Sequence, residues 1–160
     1  MRDVHTIRLR GPWQIEPIAR YVALGDGQFK ASVENLPPAT KDKMPADWSA
    51  ALGSDFRGRV RYTRRFHEPA GLEELEEVWL AVAPQCSRAT IALNGHSLGE
   101  VLRGEAVARS EITALLRDTN VLEIIVDHPR LDATGKTMES CLTERAGGLT
   151  GEVWLEIGFP

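Results

Sequence analysis

Apolar and polar residues alternate with a period of two over much of the chain after residue 57. Val60, Tyr62 and Phe66 alternate through residues 58–66, Val78, Leu80 and Val82 through 77–83, and Ile91 and Leu93 through 89–93. Residues 120–126, with Leu122, Ile124 and Val126, give the clearest run, and 151–157 close the series with Val153, Leu155 and Ile157. A period of two places alternate side chains on one face, so each run predicts a half-buried β-strand. Asn94-Gly95 lies between apolar runs, and a type I′ turn needs positive φ at both positions, so a hairpin is predicted there. Residues 112–116 predict one helical turn. Residues 25–58, rich in Gly, Pro, Asp and Lys, read as a long loop region holding at most a short strand or a turn of helix. Residues 127–148, with Gly135, Gly147 and Gly148, read as a second polar loop region. Many short strands with little helix predict an all-β fold, a jelly-roll β-sandwich.

The chain's 160 residues, 42% hydrophobic and 26% charged, fit a single domain over 1–160 with a core of its own. No apolar run approaches a membrane span, so no membrane partner is expected. Residues 1–5 lack the apolar centre of an export signal, which makes a cytoplasmic location the default expectation. Nineteen Lys and Arg against 23 Asp and Glu give a net charge of −4, which speaks against a nucleic-acid partner. The one basic stretch, Arg59, Arg61, Arg64 and Arg65, spreads over both faces of a strand and reads as a solvated, salt-bridged surface. Cys86 and Cys141 do not make a disulfide framework and read as free thiols. His5, His67, His96 and His128 lack zinc-ligand spacing. No cofactor is expected; for a structural calcium ion the only candidates are Asp26-Gly27 and Asp132, without an EF-hand-like ligand series.

The order of motifs resembles the N-terminal sugar-binding domain of glycoside hydrolase family 2, the β-galactosidases, β-glucuronidases and β-mannosidases. Leu9-Arg10-Gly11-Pro12-Trp13 resembles the domain's opening L-x-G-x-W, and Pro45-Ala46-Asp47-Trp48 its P-x-D-W. Arg57-Gly58 followed by Tyr62-Thr63-Arg64-Arg65-Phe66 resembles R-G with Y-R-R-x-F. Residues 91–99 resemble the N-G hairpin, Glu111-Ile112-Thr113 resembles D-I-T, and residues 120–126 resemble N-x-L-x-V-x-V. Residues 147–155 resemble the closing G-G-I-x-R-x-V-x-L, with Gly151 in place of the arginine. Arg103-Gly104-Glu105 stands where the family has G-G-[YH], and no acid near Cys141-Leu142 matches the one some members turn toward the sugar. The resemblance implies a galactose-binding-like sandwich and weak carbohydrate binding without catalysis. It also implies a catalytic barrel as partner, in the same or another chain, since the family's catalytic carboxylates sit on one.

Gly95-His96-Ser97-Leu98-Gly99 is a literal G-x-S-x-G, followed by Asp118 and His128 in α/β-hydrolase order. Only 63 residues follow Ser97, too few for several βαβ units of about 30 residues each, so a serine hydrolase ranks last. A glycosidase needs two carboxylates held roughly 5–10 Å apart. Glu73, Glu74, Glu76 and Glu77 read instead as a solvated turn, while Asp55, Glu105, Asp132 and Glu144 lie in loops. All four tryptophans, Trp13, Trp48, Trp79 and Trp154, read first as core, and Trp48, after a Pro-containing loop, is the one aromatic candidate for a site. Arg64 shares the parity of Val60, Tyr62 and Phe66, which predicts a structural ion pair, with a ligand-facing arginine as the alternative. Loops 44–57, 102–109 and 128–147 are expected to carry any site. Within them the candidate carbohydrate-binding residues are Trp48, Asp55, Arg103, Glu105, Asp132 and Arg145. The competing class is a protein-interaction module on the same fold, or a fragment of a glycoside hydrolase.

Overall fold

A computed structural model of the chain describes residues 2–138 and 145–160. The first five strands are β1 (Arg2–Arg8), β2 (Trp13–Gly25), β3 (Gln28–Ser32), β4 (Thr40–Asp42) and β5 (Ala46–Asp47), followed by one helical turn, α1 (Ser49–Leu52). The rest are β6 (Gly58–His67), β7 (Glu77–Val82), β8 (Arg88–Leu93), β9 (His96–Val101), β10 (Ala108–Glu111), β11 (Thr119–His128), β12 (Gly148–Leu149) and β13 (Val153–Phe159). A single 3-10 turn at Thr113–Leu115 occupies the expected helical turn.

The strands form an all-β sandwich. One sheet runs β1-β13-β7-β10; the other runs β3-β2-β6-β11-β8-β9, with β4 also pairing β2. Register explains why the alternating positions become core. Ile124 lies between Tyr62 and Ile91, and Val126 between Val60 and Ala89, so one face of three strands is continuously apolar. It meets Val78, Leu80 and Val82 of β7 and Val153, Leu155 and Ile157 of β13, all buried. The expected hairpin joins β8 to β9 through Asn94 (φ 50°) and Gly95 (φ 82°).

Part of the region expected to be loop is sheet. β3 and β4 add to the larger sheet, and β5 pairs with β12. Trp79 and Trp154 are only half-buried. Each alternates with buried neighbours on its strand, so both face outward from the smaller sheet and not into the core. Arg64 is half-buried, but among the described residues no carboxylate pairs with it; its Nη1 donates to the Arg65 carbonyl at 2.8 Å. The ion pairs of that strand come from the outward parity instead, Arg59 to Asp127 and Arg61 to Glu16.

Two polar side chains organise the interior. Asn120, fully buried, accepts from Asn94 Nδ2 and Arg117 N at 2.9 and 2.8 Å. It donates to the Phe66 and Arg117 carbonyls at 3.3 and 2.9 Å. Trp48, also fully buried, donates from Nε1 to the Phe56 carbonyl at 3.0 Å. Its indole meets Phe56 edge-on at 5.5 Å and His128 at 6.0 Å.

Candidate functional site

The sandwich gathers the expected loops at one end. Gly58 pairs with His128, Asp127 with Arg88, and Ala89 with Val101. The segments before β6, after β9 and after β11 therefore leave the larger sheet at the same edge. Asp55, Arg103, Glu105, Asp132 and Arg145 all belong to these segments.

No hydrogen bond or ion pair among the described residues joins any two of the six candidates. Trp48 has no exposed ring face, because its indole fills the core, so it packs and does not stack on a ligand. Glu105 Oε1 accepts from Leu102 N at 3.1 Å within its own turn. Asp55 and Arg103 are exposed. The Arg145 carbonyl hydrogen-bonds His128 Nε2 at 2.7 Å, while its side chain is exposed. Glu144 and Cys141 lie outside the described residues. Of the six, Asp132 lines a cleft together with other polar groups.

That cavity is a cleft of about 260 Å³. Its floor is a cross-strand row on the outward face of the larger sheet, Arg59 (β6), Asp127 (β11) and Arg88 (β8). Outward residues directly opposite each other sit roughly 5 Å apart, which lets the charges alternate. One wall is Tyr21, Phe29 and Ala31 from the β2–β3 hairpin, turned by Asp26 and Gly27 at positive φ. The other wall is Arg130 to Ala133 with Gly135.

This second wall is strapped onto the sheet. Leu131 bridges to Thr137, and Gln28 of β3 to Lys136. Phe29 N donates to the Gly135 carbonyl at 2.8 Å, and Thr137 N to that of Gly27 at 2.9 Å. Gly135 (φ 85°) permits the approach, because a Cβ there would strike the Phe29 carbonyl oxygen. Asp132 Oδ1 ties the strap's turn by accepting from Thr134 N, Thr134 Oγ1 and Lys136 N at 2.8, 2.6 and 3.0 Å. Those bonds, the Thr134 side chain first, hold its carboxyl below the usual range.

Asp127, only 6% exposed, anchors the floor. Its Oδ1 accepts from Tyr21 Oη at 2.7 Å and from Arg59 Nε at 2.6 Å. Burial first, and then the bond to Asp127, push the Tyr21 phenol well above its ordinary value. The same carboxylate raises Arg59 further. Arg88 Nε holds Glu100 at 2.8 Å, and Arg130 carries no ion pair among the described residues. Three guanidinium groups and two carboxylates line the cleft, a donor-rich surface that suits hydroxyl or anionic oxygens. With two aromatic rings in its wall, Tyr21 and Phe29, the cleft can press on the apolar face of a small polar ring.

The hydrolase arrangement is not assembled. Ser97 and Glu123 both pair with Ala92, so Ser97 lies five residues along the sheet from His128, about 17 Å at strand rise. It sits exposed on a hairpin strand and not on a strand-to-helix elbow.

The fold is a β-sandwich resembling a domain of family 2 glycoside hydrolases. The sequence matches no protein-family model and no curated protein. Among solved structures it is similar to an FMN-binding β-glucuronidase from Facaelibacterium prausnitzii, with 22% identity and a TM-score of 0.67 over 98% of this chain and 23% of that one. A calcium-binding mutant of Bacteroides uniformis β-glucuronidase 2 gives 22% identity and 0.70 over 98% and 18%. Bifidobacterium dentium β-glucuronidase complexed with coumarin-3-O-glucuronide gives 17% and 0.67 over 98% and 30%. The chain thus spans less than a third of these proteins.

Six cleft residues escape sequence reasoning: Tyr21, Phe29, Arg59, Arg88, Asp127 and Arg130. Outward charges on strands look like ordinary solvated positions until the register of β6, β11 and β8 sets three of them in one row.

Proposed function

We propose that this chain is a non-catalytic carbohydrate-recognition domain of the type found at the N-terminus of family 2 glycoside hydrolases. It takes one sugar residue into the Arg59–Asp127–Arg88 cleft. The observation that carries this reading is the lining: planar guanidinium donors, carboxylate acceptors and two aromatic rings around 260 Å³. That volume lies below the roughly 300–1,000 Å³ of sites that engulf drug-sized ligands, which matches a single pyranose. At about 0.3 kcal/mol per heavy atom, roughly a dozen atoms give a dissociation constant in the millimolar range. A catalytic barrel, in the same or another chain, is the partner this role implies. The competing reading, an interaction module, draws on Val22, Leu24 and Val33, which stay exposed along the β2–β3 hairpin.

NMR titration with millimolar β-galactoside, glucuronide and mannoside tests the assignment. Saturable shifts at residues 29–31, 88 and 130–137 are expected for at least one sugar. Arg130→Ala should weaken them several-fold while leaving the spectrum dispersed. If no sugar moves these resonances, the interaction-module reading replaces this one.

A further inference from the structure

A second cavity, on the same sheet but built from other residues, has a different character. It measures about 170 Å³ and is lined by Pro12, Gln14, Lys41, Thr63, Arg64 and Arg65. β2 begins at Trp13, and its pairing with β6 runs no further along β6 than Gln14 opposite Thr63. The chain turns away at Gly11 and Pro12, so β6 continues past the end of its neighbour. Arg64 and Arg65 sit on that stretch, paired with β11 on one side and without a partner strand on the β2 side. β4 places Lys41 directly opposite Gln14, which makes Lys41, Gln14 and Thr63 one cross-strand row at the cavity's side.

Three cations line this cavity and no acid does. Five arginines elsewhere, at positions 10, 59, 61, 88 and 109, hold a carboxylate within 4 Å. Among the described residues Lys41, Arg64 and Arg65 do not. Glu123 opposes Thr63 from β11, on the far side of β6, and does not line the cavity. The single bond from Arg64, Nη1 to the Arg65 carbonyl, fixes its guanidinium, and its shielded Nε has no partner. A protein of net charge −4 has therefore left three positive side chains clustered and uncompensated. Like charges so placed repel one another unless a counter-ion joins them.

We propose that this cavity is a binding site for a compact tetrahedral oxyanion, a sulfate or phosphate group. The space holds several waters, which accommodates such a group with part of its hydration. Arg64 and Arg65 offer forked donors suited to paired oxygens, and Lys41 adds a point charge. The Thr63 hydroxyl and the Gln14 amide supply neutral donors. The site shares no lining residue with the carbohydrate cleft and stands whether or not that cleft binds sugar.

The test is NMR titration of the whole chain with sodium sulfate and, separately, sodium phosphate, against sodium chloride at matched ionic strength. Saturable shifts at Gln14, Lys41 and residues 63–65 are expected in at least one arm, weakening several-fold when ionic strength is raised. The sulfate arm reads an acceptor-only dianion, and the phosphate arm one that also donates. Lys41→Ala with Arg65→Ala, both at exposed positions, should weaken binding at least tenfold in a protein whose spectrum stays dispersed. Arg130→Ala should leave it unchanged. Shifts that never saturate, that match chloride, that survive the double variant, or that appear only at Arg59, Arg88 and Arg130 would overturn the assignment.

Discussion

Asp127→Ala is the sharpest probe of how the cleft is built, because one carboxylate oxygen holds two elements together. Its Oδ1 accepts from Tyr21 of β2 at 2.7 Å and from Arg59 of β6 at 2.6 Å. The Arg59 side chain is 48% exposed, so water replaces most of what it loses, and its share falls to the roughly 0.2–1 kcal/mol of an exposed pair. Tyr21 is only 9% exposed, and a buried hydroxyl left without its acceptor costs about 1–3 kcal/mol. Together they give a loss of roughly 1–4 kcal/mol, or about 2–16 °C in Tm for a domain of this length. Asp127→Asn keeps an acceptor and should lose about half as much. Urea unfolding of Asp127→Ala, Tyr21→Phe and the double variant closes a cycle, and a coupling of at least roughly 0.5 kcal/mol is expected for directly bonded partners. The phenol supplies an independent check. Its pKa is raised in the folded state, so the native protein holds that proton more tightly than the unfolded chain. Stability from Tyr21 is therefore intact below the ordinary phenol value near 10 and is lost as pH rises beyond it. Tyr21→Phe should flatten part of that alkaline slope; buried Tyr62, also raised, retains the rest. Additive single variants, or an Asp127→Ala protein within about 0.5 kcal/mol of the parent, would show that the pair does not anchor the floor.

Asn120→Ala removes four hydrogen bonds at a fully buried position and should cost roughly 3 kcal/mol, read as a lower urea midpoint with unchanged slope. Gly147→Ala would put a Cβ 2.6 Å from His128 Cβ and 2.7 Å from the Trp48 ring. Overpacking of this kind costs about 1–3 kcal/mol, and the near-ultraviolet dichroism of the indole should change with it.

Strict alternation made β6, β7, β8, β11 and β13 legible in the sequence, because each has one face on the core. The stretch before residue 58 was less legible for physical reasons. β2 contains Pro17 and a register shift between Pro17 and Ala19, which breaks the period-two pattern. β3 has no buried residue at all, so it carries no hydrophobic signature. The loop-bearing end of the sandwich followed from the strand order, and Asp132 was found there. Asp127 was not, since an acid that ends an apolar run looks like a strand terminus. Its burial arises from Tyr21, 106 residues away in the chain. As a site candidate Trp48 fails for the opposite reason: a tryptophan in a polar loop suggests exposure, yet this loop carries its indole into the core, the first reading of all four tryptophans.

The strap from Leu131 to Thr137 has a consequence beyond shaping the cleft. β3 is the outermost strand of the larger sheet, and an uncovered edge offers its free amides and carbonyls to any other extended chain. The strap occupies that edge at Gln28 and Phe29. The opposite edge, β9, is disrupted instead by a register shift that brings Gly99 to φ 97°. Where one border is made uninviting by its own kink, the other relies on seven residues lying in place. The segment that walls the cleft thus also guards the molecule against sticking to its own copies, so a change that loosened it would cost colloidal stability as well as recognition.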